Sequence, residues 1–212
     1  TNFSIMNDIG LAIKKYSPNS FIICITNPLD AMVWSLKKIT NINKKKIVGM
    51  AGILDSARFK FFLSKILSVS MDCIETMVLG GHGDTMVPLL DCTSISGIPL
   101  NQYLKINKIK KEKIEEVILK TRNGGGEIVS LMKNGSAFYS PAASAIQMLE
   151  SYFLDQKRIL PCSAYLKGEY GIQDLCVGVP VIIGKNGVEK IIQINLSSSE
   201  KNQFKKSVGA VD

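Results

Sequence analysis

Residues 21–40 restrict most narrowly what this chain can fold into. Phe21 to Ile25 is an unbroken apolar run. It lacks the alternation of a strand with one wet face, so it reads as a strand buried on both sides, as in a parallel sheet covered by helices. Thr26-Asn27-Pro28 stops the run, and Pro28 suits the first turn of a helix. The apolar spacing from Leu29 to about Ile39 predicts that helix. Strand, polar turn and helix make a βα unit. The polar turn lies at the strand's C-terminal end, the edge at which open α/β sheets bind ligands.

The flanking segments extend the pattern. Apolar residues from Phe3 to Ile13 predict a helix over residues 2–16, closed by Ser17-Pro18-Asn19. Ile47 to Ala51 reads as a second short strand, and Gly52 to Leu67 as a long amphipathic helix. Thr76 to Leu79 and Val87 to Asp91 read as strands on either side of a glycine-rich turn. A helical period over Lys110 to Lys133 is interrupted by Gly124-Gly125-Gly126. Three glycines inside a helix would cost roughly 2–3 kcal/mol against alanine, so close backbone approach is expected there. A linker at Ser136 to Tyr139 leads to a helix starting at Pro141. Strand-like runs follow at Ile159 to Tyr170, Leu175 to Ile183 and Val188 to Ile194, the last two joined by an Asn186-Gly187 hairpin turn. Serines 197–199 cap a final helix.

The turn between the central short strands carries Gly80-Gly81-His82-Gly83-Asp84, and His82 is the one histidine in 212 residues. An imidazole on a glycine turn at a strand end is where proton exchange near neutral pH would be placed. Upstream, Asp55 and Arg58 stand three apart at the start of a helix and share a face. Taken alone, that pair reads as an ordinary helix salt bridge. Set beside His82, Asp55 would fix the ring's tautomer and stabilise its charged form. Arg58 would then offer a planar fork to a substrate carboxylate. Together they describe a site that grips a carboxylate and exchanges a proton with a nearby oxygen, which suits oxidation of a hydroxy acid to a keto acid.

Composition excludes other classes. No apolar run approaches the ~18 residues of a membrane span, and Thr1-Asn2-Phe3-Ser4 lacks the charged and apolar regions of a signal peptide, so none is expected. The five cysteines are odd in number and form no CxxC pair. They read as reduced, buried small hydrophobes, and so as a cytoplasmic protein without a disulfide frame or metal site. Net charge is +8, with lysine runs at residues 44–46 and 108–113. A basic nucleic-acid-binding module is the alternative class, but no aromatic or glycine residues interleave with the lysines, so no nucleic-acid or membrane partner is expected.

Thr26-Asn27-Pro28-Leu29-Asp30, Asp55-Ser56-Ala57-Arg58-Phe59 and Gly81-His82-Gly83-Asp84, in that order and spacing, resemble the lactate/malate dehydrogenase family. The blocks at residues 121–129 and 136–145 look most like malate dehydrogenases of the bacterial, lactate-dehydrogenase-like type. The resemblance implies an α/β fold: the C-terminal half of a doubly wound Rossmann sheet over residues 1–50, then an α+β substrate domain over 51–212. It implies NAD as cofactor, His82 and Asp55 as the catalytic pair, and Arg58 and Asn27 as substrate-binding residues. Asn2, Ile25, Thr26 and Asn27 would contact the cofactor, and the triple glycine would lie near the substrate end of the cleft. It further implies malate and oxaloacetate as substrates and a homo-oligomer, dimer or tetramer. A lactate dehydrogenase is the alternative within the family, against which Ala137 argues, since lactate enzymes usually place a threonine there. The family's Gly-x-Gly-x-x-Gly turn and its arginine-bearing mobile loop are absent. The chain is therefore expected to be a fragment that binds NAD poorly and is nearly inactive by itself.

Overall fold

The computed structural model describes residues 2–211. Helix α1 (Asn2–Tyr16) leads to strand β1 (Ile22–Cys24), helix α2 (Leu29–Thr40) and strand β2 (Ile47–Gly49). β1 and β2 are parallel, with Ile23 opposite Val48. The continuous apolar run thus becomes a strand covered on both faces, with α2 as its crossover. Pro28 is the N-cap of α2 rather than a residue of its first turn, and the Asn27–Pro28 peptide is cis.

Helix α3 (Gly52–Leu67) follows, then five short strands: β3 (Ile74–Glu75), β4 (Val78–Leu79), β5 (Val87–Pro88), β6 (Ser94–Ile95) and β7 (Ile98–Pro99). β4 pairs with β5 across the His82 turn, and β3, β6 and β7 form a separate small sheet. The strands predicted at residues 76–79 and 87–91 contract to two residues each, because the ladder between them reaches only from Val78 and Pro88 to Leu79 and Val87.

Three helices come next: α4 (Leu100–Ile106), α5 (Lys111–Met132) and α6 (Tyr139–Phe153). α5 runs through Gly124-Gly125-Gly126 without a break, contrary to the interruption expected there. Its apolar stripe, with Ile114 and Val117 buried, packs on α3 beside Phe59 and Leu63, and this packing outweighs the poor helix propensity of glycine.

The chain then returns to the main sheet with β8 (Arg158–Lys167), β9 (Gln173–Gly184) and β10 (Gly187–Ile191) and ends in α7 (Ser198–Gly209). The main sheet is five-stranded in the order β1-β2-β8-β9-β10, and β2 joins β8 antiparallel at Gly49 and Ser163. Strands from both sides of residue 50 therefore share one sheet. α7 opens with a capping box in which Ser197 and Glu200 exchange hydrogen bonds. One face of the sheet packs against α1 and α2 through Met6, Val33 and Leu36. The other gathers Leu54, Leu79, Met148, Val177 and Phe204 from α3, β4, α6, β9 and α7. Cys24, Cys162 and Cys176 are buried in these layers as free thiols, and burial pushes the Cys162 and Cys176 thiols far above the ordinary range.

Candidate active site

The turn that carries His82 is held by its backbone. Gly80 and Gly178 of β9 exchange N–H to carbonyl hydrogen bonds at 2.9 and 3.0 Å. Gly80 has φ 89°, and a Cβ on Gly178 would collide with the Gly80 carbonyl, so both positions need glycine. Gly81 N–H donates to Ser207 Oγ (2.9 Å) and His82 N–H to Asp30 Oδ2 (2.9 Å).

The same turn is registered against α3. Val78 N–H donates to Ser56 Oγ at 2.9 Å, one residue from Asp55. This brings His82 Nδ1 to 2.8 Å from Asp55 Oδ2. Asp55 lies in the first turn of α3, where the helix dipole favours a carboxylate, and its side chain is 2% exposed. The second oxygen, Oδ1, is 3.4 Å from Arg58 Nη1. That is the one hydrogen bond of the Arg58 guanidinium among the described residues, so most of its fork remains open.

Two carboxylates and one cation set the charge of His82. Burial by itself pushes the imidazolium pKa down. The Asp55 hydrogen bond, with the charges of Asp55 and Asp30, outweighs burial and the repulsion from Arg58, so the pKa lies above the ordinary histidine value. Asp30 is held above the usual carboxylate range by its own burial, against the hydrogen bonds it accepts from Ser163 and His82 N–H.

Arg58 and His82 open onto a cavity of about 470 Å³ at the C-terminal end of β1. Ile25, Asn27 and Leu54 line one side, and Gly125, Val129, Ala137 and Phe138 the other. Ile25, at the end of a buried strand, is 54% exposed and presents an apolar wall to this space. Asn2 Nδ2 donates to the Asn27 carbonyl at 2.7 Å, which ties the start of α1 to the site. Thr26 is half-buried beside them and is not among the cavity's lining residues. Gly124 and Gly125 of α5 lie against Arg58: a Cβ at residue 125 would stand 3.5 Å from Nη1. These are ordinary van der Waals distances that alanine would also permit, and a Cβ on Gly126 would meet nothing within 4 Å, so the close backbone approach expected of the glycines is not required there.

The structure adds residues that the sequence did not single out for a role. Asp30, Ser163 and Ser207 hold the His82 turn from behind. Arg122 of α5 donates from Nε to the Met86 carbonyl at 3.2 Å and, with Arg58 and His82, lines a neighbouring cavity of about 450 Å³. Asp30 stands in the Thr26–Asp30 motif, but an acid early in a helix is common for dipole reasons alone, so nothing local pointed to its contact with His82. Another cavity, of about 290 Å³ between Lys44, Lys45, Glu169 and Glu189, lies away from His82. Among the described residues, no group of three or more His, Cys, Asp or Glu side chains is arranged for a metal ion, and no helix is long and apolar enough to cross a membrane.

Comparisons with known proteins agree along the whole chain. The model of the lactate/malate dehydrogenase NAD binding domain matches residues 1–49, and that of the lactate/malate dehydrogenase alpha/beta C-terminal domain matches residues 53–211. A malate dehydrogenase structure from Cryptosporidium parvum is 50% identical with a TM-score of 0.97, covering 99% of this chain and 67% of that one. A lactate dehydrogenase from Eimeria maxima, solved with NADH and oxamate, is 45% identical with a TM-score of 0.97, covering 100% and 64%. A malate dehydrogenase from Aeropyrum pernix is 40% identical with a TM-score of 0.93, covering 99% and 68%. The chain spans about two thirds of the length of these structures.

Proposed function

The chain belongs to the lactate/malate dehydrogenase family, and from that premise we propose that it carries the proton-transfer and carboxylate-binding half of an NAD-dependent malate dehydrogenase. Within the family we assign it to the bacterial, lactate-dehydrogenase-like type. Residues up to about 50 serve the cofactor, and the remainder serves the substrate. One observation carries the reading. The Asp55–His82 hydrogen bond of 2.8 Å and the Arg58 fork open onto one cavity.

In this mechanism Asp55 accepts from Nδ1–H and leaves Nε2 to exchange a proton with the substrate oxygen. In malate oxidation neutral His82 takes the hydroxyl proton. In oxaloacetate reduction the imidazolium returns it, and the raised pKa of His82 favours that charged form. Arg58 grips the carboxylate next to the reacting carbon, with one oxygen on each free arm of its fork. Asn27 contacts the substrate from the end of β1. The apolar wall of Ile25, with Asn2, Thr26 and Asn27 around it, fits the flat nicotinamide end of NAD. When bound, that cofactor supplies or takes the hydride. The described residues contain no glycine-rich pyrophosphate turn, so we expect the 212-residue chain alone to bind NAD weakly and turn over slowly.

Ala137 supports malate over lactate, because its small side chain in the cavity wall leaves room for a substrate group larger than methyl. The lactate reading draws on the Eimeria maxima lactate dehydrogenase, whose TM-score equals that of the Cryptosporidium parvum malate dehydrogenase at 0.97. The test compares NADH-dependent reduction of oxaloacetate and pyruvate by this chain joined to the N-terminal third of the Cryptosporidium parvum enzyme. Faster oxaloacetate turnover is expected; faster pyruvate turnover assigns it to lactate, and loss of neither on His82→Gln would sink the mechanism. The exposed apolar residues Leu131, Phe138, Phe153 and Leu154 support self-association into a dimer or tetramer, which sedimentation velocity would reveal.

A further inference from the structure

Glycines at 80, 81 and 83 leave the His82 turn with little steric restraint of its own, so its position must come from hydrogen bonds. Of the groups from outside the turn that hold its backbone at residues 80–82, Asp30 alone is charged, and its carboxylate accepts from the histidine's own N–H. We propose that Asp30 is a positioning residue for the imidazole: from the first turn of α2 its carboxylate holds the His82 backbone in place and adds a second negative charge behind the ring. This rests on reading His82 as the proton carrier.

The bonds close a ring. Asp30 Oδ2 accepts from His82 N–H (2.9 Å), and Oδ1 accepts from the buried Ser163 hydroxyl. Ser163 is paired with Gly178 in the β8–β9 ladder, and Gly178 is bridged to Gly80. Two residues further, His82 N–H returns to Asp30. α2, β8, β9 and the turn are thereby locked together. Asn27 lies three residues before Asp30, so the same chain segment fixes both a substrate-contacting position and the histidine backbone.

A purely structural tie would be made with less penalty by a neutral amide. Asp30 is 6% exposed, and a buried carboxylate loses much of its hydration. Both of its oxygens accept hydrogen bonds, which suits the anion. The charge has a use at the ring. Acting on the imidazole are Asp55 and Arg58 from α3 and Asp30 from α2, while Asp84 within the turn and Arg122 from α5 line the adjoining cavity with it. Cys24 and Cys176 lie beside Asp30 as thiols whose pKa is raised by burial, so they stay neutral and add no further negative charge there.

Because the chain has one histidine, proton and nitrogen NMR of the 212-residue protein reads its titration without ambiguity. Asp30→Asn keeps an acceptor for His82 N–H and removes the charge. It should lower the His82 pKa by roughly half a unit or more, with the Nδ1–H tautomer retained. Asp30→Ala should lower it similarly and speed amide exchange at residues 81–83 roughly tenfold or more. Should either variant fail to fold, Ser163→Ala removes a donor from the carboxylate and should shift the His82 pKa downward to a smaller extent. An unchanged or raised His82 pKa in Asp30→Asn, or in Ser163→Ala if that is the variant that folds, overturns the proposal; a merely structural Asp30 would alter amide exchange alone. The titration does not depend on turnover, so failure of the dehydrogenase reading would be seen separately, in the reduction assay.

Discussion

His82 Nδ1 and Asp55 Oδ2 stand 2.8 Å apart although 27 positions separate them in the chain. Both side chains are largely buried, at 13% and 2% exposure. A hydrogen bond to a buried carboxylate is worth more here than in water, and it fixes which ring nitrogen faces the cavity. Replacing Asp55 with Asn preserves shape but removes the charge and permits the wrong tautomer. Asp55→Asn should therefore lower the His82 pKa and cut oxaloacetate reduction by roughly 10²–10⁴-fold. A rate within a factor of two of the parent would show that the pair is structural.

The raised pKa of His82 also makes a stability statement. The folded state holds the proton more tightly than the unfolded one. The resulting stabilisation is fully present below the unfolded value of about 6.5 and is lost as pH rises through the higher folded value. Urea midpoints of the parent and of His82→Gln, measured from pH 5 to 9, should differ most at the acid end and converge toward the alkaline end. A gap that widened with pH would contradict the sign.

Arg58 is placed to hold a carboxylate with a planar fork, which lysine cannot reproduce. Its protein partner, Asp55 Oδ1, is at a long 3.4 Å, so little folding energy is at stake. Arg58→Lys should raise KM for oxaloacetate roughly ten- to a hundredfold, with a melting temperature close to the parent's. Unchanged KM would remove Arg58 from the substrate site.

The glycines of α5 separate into two kinds. A Cβ at Gly126 would meet nothing within 4 Å, whereas one at Gly125 would touch the Arg58 guanidinium at 3.5 Å. Gly126→Ala should stabilise the chain by up to about 1 kcal/mol through helix propensity, read as an increased urea midpoint. Gly125→Leu should crowd Arg58 and weaken oxalate binding severalfold in calorimetry, with folding intact. Equal oxalate affinity in the two variants would show that the glycine surface has no part in shaping the carboxylate site.

Helix α3 was legible to the residue, because its apolar positions repeat with the helical period from Gly52 to Leu67. The β1–α2 unit was legible for a similar reason: an unbroken apolar run, then Pro28. In contrast, the path of α5 through residues 124–126 is not legible locally, since local propensity says break and packing against α3 says continue. Of the site, the residue types and their order pointed to His82, Asp55 and Arg58. Their proximity depends on the Val78 to Ser56 bond and on the Gly80–Gly178 bridge, neither of which has a sequence signature.

Neighbours along the chain set the local elements and the inventory of reactive groups, because strand and helix periods, turn residues and side-chain chemistry are local properties. That Asp30 stands behind the histidine, that Ser163, 133 positions away, supports it, and that glycines on α5 face Arg58 follow from the folded arrangement alone. Those relations span different layers of the fold. They are set by how sheet and helices bury their apolar faces together, an outcome of the whole chain's packing that no short stretch of it encodes.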